Sequence, residues 1–170
     1  MARILVVYYS LTGHTRQVAT SIAQACGADI EPILDVAGRQ PKPSDLFWLG
    51  LRALLHRAED IREPKFDPAN YDMVIIGTPV WAGNMASPVR TYVTRYQGKL
   101  KRLALFCTEG GANGDRALSR IAQMLGLVPS AQLIITEPEL ASGAYGHKID
   151  EFVASLDLPK PSADTHQSAA

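Results

Sequence analysis

Apolar residues run almost without interruption over Ile4 to Tyr9, Met73 to Gly77, Leu103 to Cys107 and Leu133 to Thr136, and more weakly over Ile30 to Val36. These runs are short and rich in β-branched residues. Near-continuous apolar strands are buried on both faces, as in a parallel sheet covered by helices. The segments between them change period. Thr15 to Cys26 places Val18, Ala19, Ile22, Ala23 and Cys26 on one face; Ser87 to Gln97 does the same with Val89, Tyr92, Val93 and Tyr96. Asp115 to Leu125 (Leu118, Ile121, Ala122, Leu125) and Ile149 to Leu156 (Ile149, Phe152, Val153, Leu156) complete the set. Apolar positions three and four apart predict helices. Gly27 and Gly126 sit where helix C-caps belong, and Ser87-Pro88 reads as an N-cap followed by proline at the first helical position.

Strands alternating with helices predict βαβ units with right-handed crossovers. Five strands with about five helices predict an α/β fold, a doubly wound five-stranded parallel sheet of order 2-1-3-4-5 with helices on both faces. Leu46 to Leu55 (LFWLGLRALL) is apolar nearly all round and reads as the second helix, buried or covered by a partner. Glu59 to Tyr71 is a polar loop with two prolines, and the polar tail from Pro159 to Ala170 reads as disordered. The expected organisation is one domain over residues 1–158 and a tail over 159–170.

Composition narrows the setting. The chain has 170 residues, 46% of them hydrophobic and 20% charged, with 17 basic residues balancing 17 acidic ones. A domain of this size buries about 70% of its unfolded surface without a metal or disulfide staple. The charge balance gives no argument for nucleic acid. Cys26 and Cys107 form neither a CxxC pair nor a metal-ligand spacing, so a cytoplasmic setting is expected. His14, His56, His147 and His166 share no ligand spacing, so no metal is expected. No apolar stretch is long enough to span a membrane.

In an open parallel sheet, ligands bind beyond the carboxyl ends of the strands near the point where strand order reverses. The loops there are the unusual ones. Ser10, Leu11, Thr12, Gly13, His14 and Thr15 place hydroxyls and a glycine before a helix. A helix N-terminus offers unpaired N–H groups and partial positive charge, which suit an anion. Without a lysine the loop is not a triphosphate P-loop. A phosphate there would be neutralised by dipoles rather than by a full charge. A cap supplied by Thr12 or Thr15 is the other reading of these residues. The second loop runs Thr78, Pro79, Val80, Trp81, Ala82, Gly83 and Asn84; its tryptophan is either a ring that stacks on a flat ligand or a half-buried cover for the sheet end. The third, Thr108, Glu109, Gly110, Gly111, Ala112, Asn113, Gly114 and Asp115, has three glycines that either let backbone approach a ligand closely or make a flexible loop with Asn113-Gly114 as a turn.

Taken in order, these loops resemble those of the flavodoxin family. Ser10-Leu11-Thr12-Gly13-His14-Thr15 fits the family's phosphate loop, Ser/Thr-x-Thr-Gly-x-Thr, at every fixed position. The stretch from Gly77 to Gly83 is similar to the loop whose tryptophan flanks the isoalloxazine, and Thr108 to Gly111 is similar to the loop along its pyrimidine. The resemblance spans roughly residues 3–157. It implies a flavodoxin-like fold, noncovalent FMN with its phosphate at the first loop, and one- or two-electron redox chemistry. Glu109 is either a charge near the flavin or an exposed loop side chain. The chain departs from electron-carrying flavodoxins, which are strongly acidic and carry an aromatic in the third loop. Gly83-Asn84-Met85-Ala86 resembles a stretch in flavodoxin-like NAD(P)H:quinone oxidoreductases.

No acidic residue occurs between Asp72 and Glu109, whereas Arg90, Arg95, Lys99, Lys101 and Arg102 fall there. All but Arg90 belong to the far end of a helix, where cations suit the dipole, which leaves Arg90 to face a partner or substrate. Cys107 and Cys26 read as core. The expected function is electron transfer by an FMN-binding protein. Its partner is either a redox protein or a small-molecule acceptor, with NAD(P)H as a candidate donor and the chain a monomer or homodimer. An NAD(P)H-dependent FMN quinone or small-molecule reductase is one alternative. A cofactor-free interaction module is another, suggested by the apolar Leu46 to Leu55 helix. A phosphorylatable receiver is set aside, because Tyr8-Tyr9-Ser10 and Thr78 stand where it needs carboxylates.

Overall fold

The fold is taken from a computed structural model of the chain, which describes residues 2–36 and 60–156. The expected helix at Leu46 to Leu55 and the tail from Pro159 lie outside the described residues.

The described elements are β1 (Ile4–Tyr8), α1 (His14–Cys26), β2 (Asp29–Pro32), β3 (Met73–Trp81), β4 (Asn84–Met85), α2 (Ser87–Arg95), β5 (Leu103–Glu109), α3 (Gly114–Leu125), β6 (Gln132–Thr136), α4 (Glu137–Ser142) and α5 (Gly146–Ala154). Five parallel strands follow the order β2-β1-β3-β5-β6, with β4 paired antiparallel to the end of β3. Among the parallel strands this is the expected 2-1-3-4-5 arrangement. The short β4 is an addition to it.

The register explains the burial. Ile4 to Tyr8 pairs residue by residue with Met73 to Gly77, and Val74 to Pro79 with Leu103 to Thr108. Alternate side chains then enter opposite layers. Leu5, Val7, Val74, Ile76, Leu103 and Leu105 pack under α2 and α3 with Val89, Tyr92, Leu118 and Ile121. Ile4, Val6, Met73, Ile75, Ala104 and Phe106 pack under α1 and α5 with Val18, Ile22, Ile149 and Phe152. Each fully buried aliphatic side chain contributes roughly 1.5–3 kcal/mol. Gly77 is required by this packing: a Cβ there would stand 2.0 Å from Phe106 Cζ on the neighbouring strand.

Several boundaries move from their expected positions. Gly27 and Gly126 are the left-handed C-caps of α1 and α3, as expected. The strand read over Ile30 to Val36 is only Asp29–Pro32, followed by a single bridge from Asp35 to Ile61. The pairing stops where β1 stops: the Ile33 N–H still donates to the carbonyl of Tyr8 at 2.7 Å, and Pro32 sits on the open edge, where its missing N–H costs no ladder bond. Ser87 is the first residue of α2 rather than its cap; Ala86 precedes it, and its N–H is taken by Thr78 Oγ1 at 3.0 Å. β3 continues past Gly77 to Trp81, so most of the second loop is strand. α4 was not expected: its six residues are too few to show a helical period.

Candidate functional site

The carboxyl edge of the sheet brings the three loops together around one cleft of about 450 Å³, a size typical of small-ligand sites. Leu11, Thr12, His14 and Thr15 line one side, Pro79 to Gly83 a second, and Thr108 to Ala112 a third. Ser10, Gly13 and Thr78 are not on its surface and act on those that are.

The first loop is built to leave a helix end open. Ser10 Oγ accepts the N–H of Gly13 at 3.2 Å, which tightens the turn. Gly13 then takes a left-handed conformation, φ 99°, and caps α1 without any side-chain hydrogen bond. Neither Thr12 nor Thr15 is the cap, which corrects that reading. Thr15 is buried, and its hydroxyl shares a 2.8 Å hydrogen bond with that of Thr108, tying the first loop to the third. Thr12 and His14 stay exposed on the cleft. No acidic residue occupies the first turn of α1. Its leading N–H groups therefore have neither an intrahelical partner nor a carboxylate to satisfy them.

The second loop is a tight hairpin. Val80 pairs with Met85 and Trp81 with Asn84, leaving Ala82 and Gly83 as a two-residue turn with φ 48° and 70°. Two positive φ values match the primed turn that suits the twist of a hairpin. Ala82 accepts a conformation that L-residues adopt at a cost of about 1–2 kcal/mol. The hairpin fixes Trp81, half-exposed, perpendicular to the Tyr9 ring with centroids 5.6 Å apart. Thr78 is wholly buried: its hydroxyl donates to the carbonyl of Pro79 at 2.9 Å and anchors the start of α2. Arg90 is not free to face a partner. One guanidinium nitrogen donates to Asn84 Oδ1 at 3.3 Å and another lies 3.6 Å from Met124 Sδ, tying the hairpin to α3. Burial, and then the neighbouring Arg120 charge, lower its pKa. Arg95 pairs with Glu63 at 2.9 Å and Lys101 with Asp72 at 3.8 Å, so that end of α2 is matched in charge.

In the third loop, Glu109 is neither loose nor exposed. Its carboxylate accepts the Gly114 N–H at 2.8 Å and closes the N-terminus of α3. Gly110, Gly111 and Ala112 put almost no side chain on that wall. Cys107 is core, as expected: burial, then the Glu109 and Asp115 charges, push its thiol up to about 12. Cys26 is only half-buried, donating to the carbonyl of Ile22.

A fourth segment of the cleft was missed. Glu137 and Leu140 of α4 complete its lining. A Cβ on Gly110 would stand 2.8 Å from the Glu137 carboxyl, so glycine is what admits that close approach. The available signal was Thr136-Glu137-Pro138-Glu139. Thr136 and Glu139 form a capping box, with the Thr136 N–H donating to Glu139 Oε2 at 2.8 Å. Among the described residues, no cluster of three or more His, Cys, Asp or Glu is arranged to hold a metal ion, and no helix is long and apolar enough to cross a membrane.

A family model described as flavodoxin matches residues 3–133. An NAD(P)H dehydrogenase (quinone) from Acidithiobacillus ferrooxidans is 38% identical over 96 residues, which cover 56% of this chain and 47% of that protein. One of the same name from Rhodopseudomonas palustris is 31% identical over 117 residues, covering 66% and 55%. The chain thus spans about half the length of the curated relatives it matches. Among solved structures, a flavoprotein from Lactobacillus acidophilus in complex with FMN superposes with a TM-score of 0.68 at 22% identity, covering 85% of this chain and 99% of that one. A flavoprotein from Bacteroides eggerthii gives 0.70 at 22% identity, covering 89% and 98%.

Proposed function

The chain belongs to the flavodoxin family, and from that premise we propose that it is an FMN-binding redox protein. The observation that carries the reading is the N-terminus of α1, uncapped by any side chain and opening on the same cleft as Trp81. The residues fit the cofactor from end to end. The N–H groups of the first turn and the Thr12 hydroxyl hold a phosphate monoester. Thr15 and Thr108, bonded to one another, set the spacing between the first and third loops. Trp81, immobilised by its hairpin, supplies a flat apolar surface for the ring system. When bound, FMN supplies one- or two-electron redox chemistry, and the chain binds, orients and shields it.

Glu109 takes no charged role toward the ring in this reading. Its carboxylate is spent on the α3 N-terminus, whose partial positive charge offsets it.

A second reading, a reductase for quinones or similar small molecules, is favoured by the third wall. Gly110, Gly111 and Ala112 put no large side chain there, which leaves room for a substrate ring. The relatives named NAD(P)H dehydrogenase (quinone) support it.

Purified protein is expected to be yellow or to quench the fluorescence of added FMN, and failure of both removes the flavin reading. Trp81→Ala is expected to weaken FMN and riboflavin alike, by about tenfold for a loss of roughly 1.4 kcal/mol of ring contact. NAD(P)H oxidation, followed with and without a quinone, separates the two readings: turnover identifies a reductase, and bound FMN without turnover a carrier.

A further inference from the structure

The first turn of α1 carries a cation where helix electrostatics disfavours one. Arg16 is the third residue of the helix. Helical side chains lean toward the N-terminus, so a long one at this position reaches back over the residue three before it. The structure shows that reach: Arg16 Nη2 lies 3.5 Å from where a Cβ on Gly13 would stand. Its charge also bears on the junction of β1 and α1. Burial raises the pKa of the Tyr8 phenol, and Arg16 partly offsets that rise.

Two features make this placement unfavourable for the protein alone. The guanidinium stands at the positive end of the α1 dipole. No acidic residue occupies the first turn, and among the described residues no carboxylate pairs with Arg16. Arg95 and Lys101, at the opposite end of the sheet, both have carboxylate partners. A side chain that is exposed, long and free to swing into water instead lies against the N-cap of the open helix.

We propose that Arg16 is a phosphate-binding residue, folding over the first loop to supply a full positive charge to the phosphate monoester of FMN. This rests on the reading of Ser10 to Thr15 as the phosphate loop. It replaces the expectation that dipoles alone neutralise the anion: backbone N–H groups and the Thr12 hydroxyl hold the oxygens, and the guanidinium balances their charge. A planar fork of donors suits a phosphate better than an ammonium does. The cradle then selects a dianionic phosphomonoester over the uncharged hydroxyl of riboflavin.

The test titrates FMN and riboflavin into the full-length apoprotein, comparing wild type, Arg16→Gln and Arg16→Lys at low and high ionic strength. Arg16→Gln is expected to lose about tenfold in FMN affinity, the loss of one charge-assisted contact, with riboflavin within twofold. Arg16→Lys is expected to fall between. Added salt is expected to weaken FMN binding less in Arg16→Gln than in wild type. Without ligand, Arg16→Gln is expected to melt no lower than wild type, since it removes a cation from a helix N-terminus. FMN affinity unchanged in Arg16→Gln, or both flavins weakened equally, would overturn the proposal. A melting temperature that falls together with FMN affinity would also overturn it and make Arg16 structural. Wild type that binds neither flavin would remove the FMN reading itself. Wild type that binds FMN with unchanged strength in Arg16→Gln would leave that reading standing and discard only the role of Arg16.

Discussion

The N-termini of α1 and α4 border the same cleft at the carboxyl edge of the sheet and are finished in opposite ways. α4 opens with a capping box, has Glu137 and Glu139 in its first turn, and is met by Lys148 of α5, whose Nζ lies 2.5 Å from Glu139 Oε1. α1 opens with a left-handed glycine, has no side-chain cap and no acid in its first turn, and carries Arg16 instead. The helix dipole asks for the same thing at both ends, an anion and partners for the leading N–H groups. α4 supplies them from its own sequence. α1 leaves them to the cleft. α3 behaves like α4 by a different route, since Glu109 reaches forward to the Gly114 N–H. A helix end finished internally is a stability device; one left open beside a cavity and an aromatic wall is what the proposed function reads as a binding device.

The sharpest way to break this contrast is to give α1 what α4 has. His14→Asp places a carboxylate at the first position of α1. FMN affinity is expected to fall a hundredfold or more, because a like charge beside the phosphate costs several kcal/mol. Riboflavin is expected to change far less. The ligand-free protein is expected to gain about 0.3–1 kcal/mol from the matched dipole, read in a thermal melt. Unchanged FMN affinity would mean that the anion does not bind at this helix end.

The converse experiment is smaller. Thr136→Ala removes the cap of α4 and is expected to cost about 1 kcal/mol, lowering the melting temperature by roughly 2–4 °C while leaving flavin affinity as it was. The smallest effect belongs to Glu139. Hydrogen bonds from Lys148 first, and then from the Thr136 N–H and hydroxyl, hold its carboxyl at about 2. A carboxyl held below its unfolded value stabilises the protein above its ordinary range and stops doing so as pH falls through the folded value. Glu139→Gln is therefore expected to lose up to about 1 kcal/mol near neutral pH and to flatten the decline in stability between about pH 4.5 and 2. That window is checked by denaturant midpoints measured across it.

Much of this was legible in the sequence, and the exceptions have physical causes. Uninterrupted apolar runs such as Ile4 to Tyr9 and Leu103 to Cys107 declare central strands, because both faces must be apolar there. β2 is shorter than its apolar run, since an edge strand has weaker demands and its only neighbour among the described residues, β1, ends at Tyr8. α4 was missed because six residues give no period, although the spacing of Thr136 and Glu139 marked its start; Glu137 and Leu140 were lost with it. In the second loop the hairpin was hidden because Ala82 takes a turn position at which asparagine, aspartate or glycine would have signalled it. The hydroxyls and glycine of the first loop, which the proposed function reads as a phosphate seat, are plain in the sequence. Two details were not. Ser10 bonds within the loop rather than facing the cleft, and Arg16, read only as a helical residue, turns back over the turn before it.

In the proposed function the α1 N-terminus is the seat for a monophosphate. The most direct test is the ratio of riboflavin to FMN dissociation constants in wild type and in Thr12→Val, measured by fluorescence quenching under one set of conditions. Wild type is expected to favour FMN by well over tenfold. Thr12→Val is expected to cut that preference by about 10- to 150-fold, the worth of a hydrogen bond to a charged group of roughly 1.5–3 kcal/mol, with riboflavin binding unchanged. Equal affinity for the two flavins in wild type, or an equal loss for both in Thr12→Val, would contradict it.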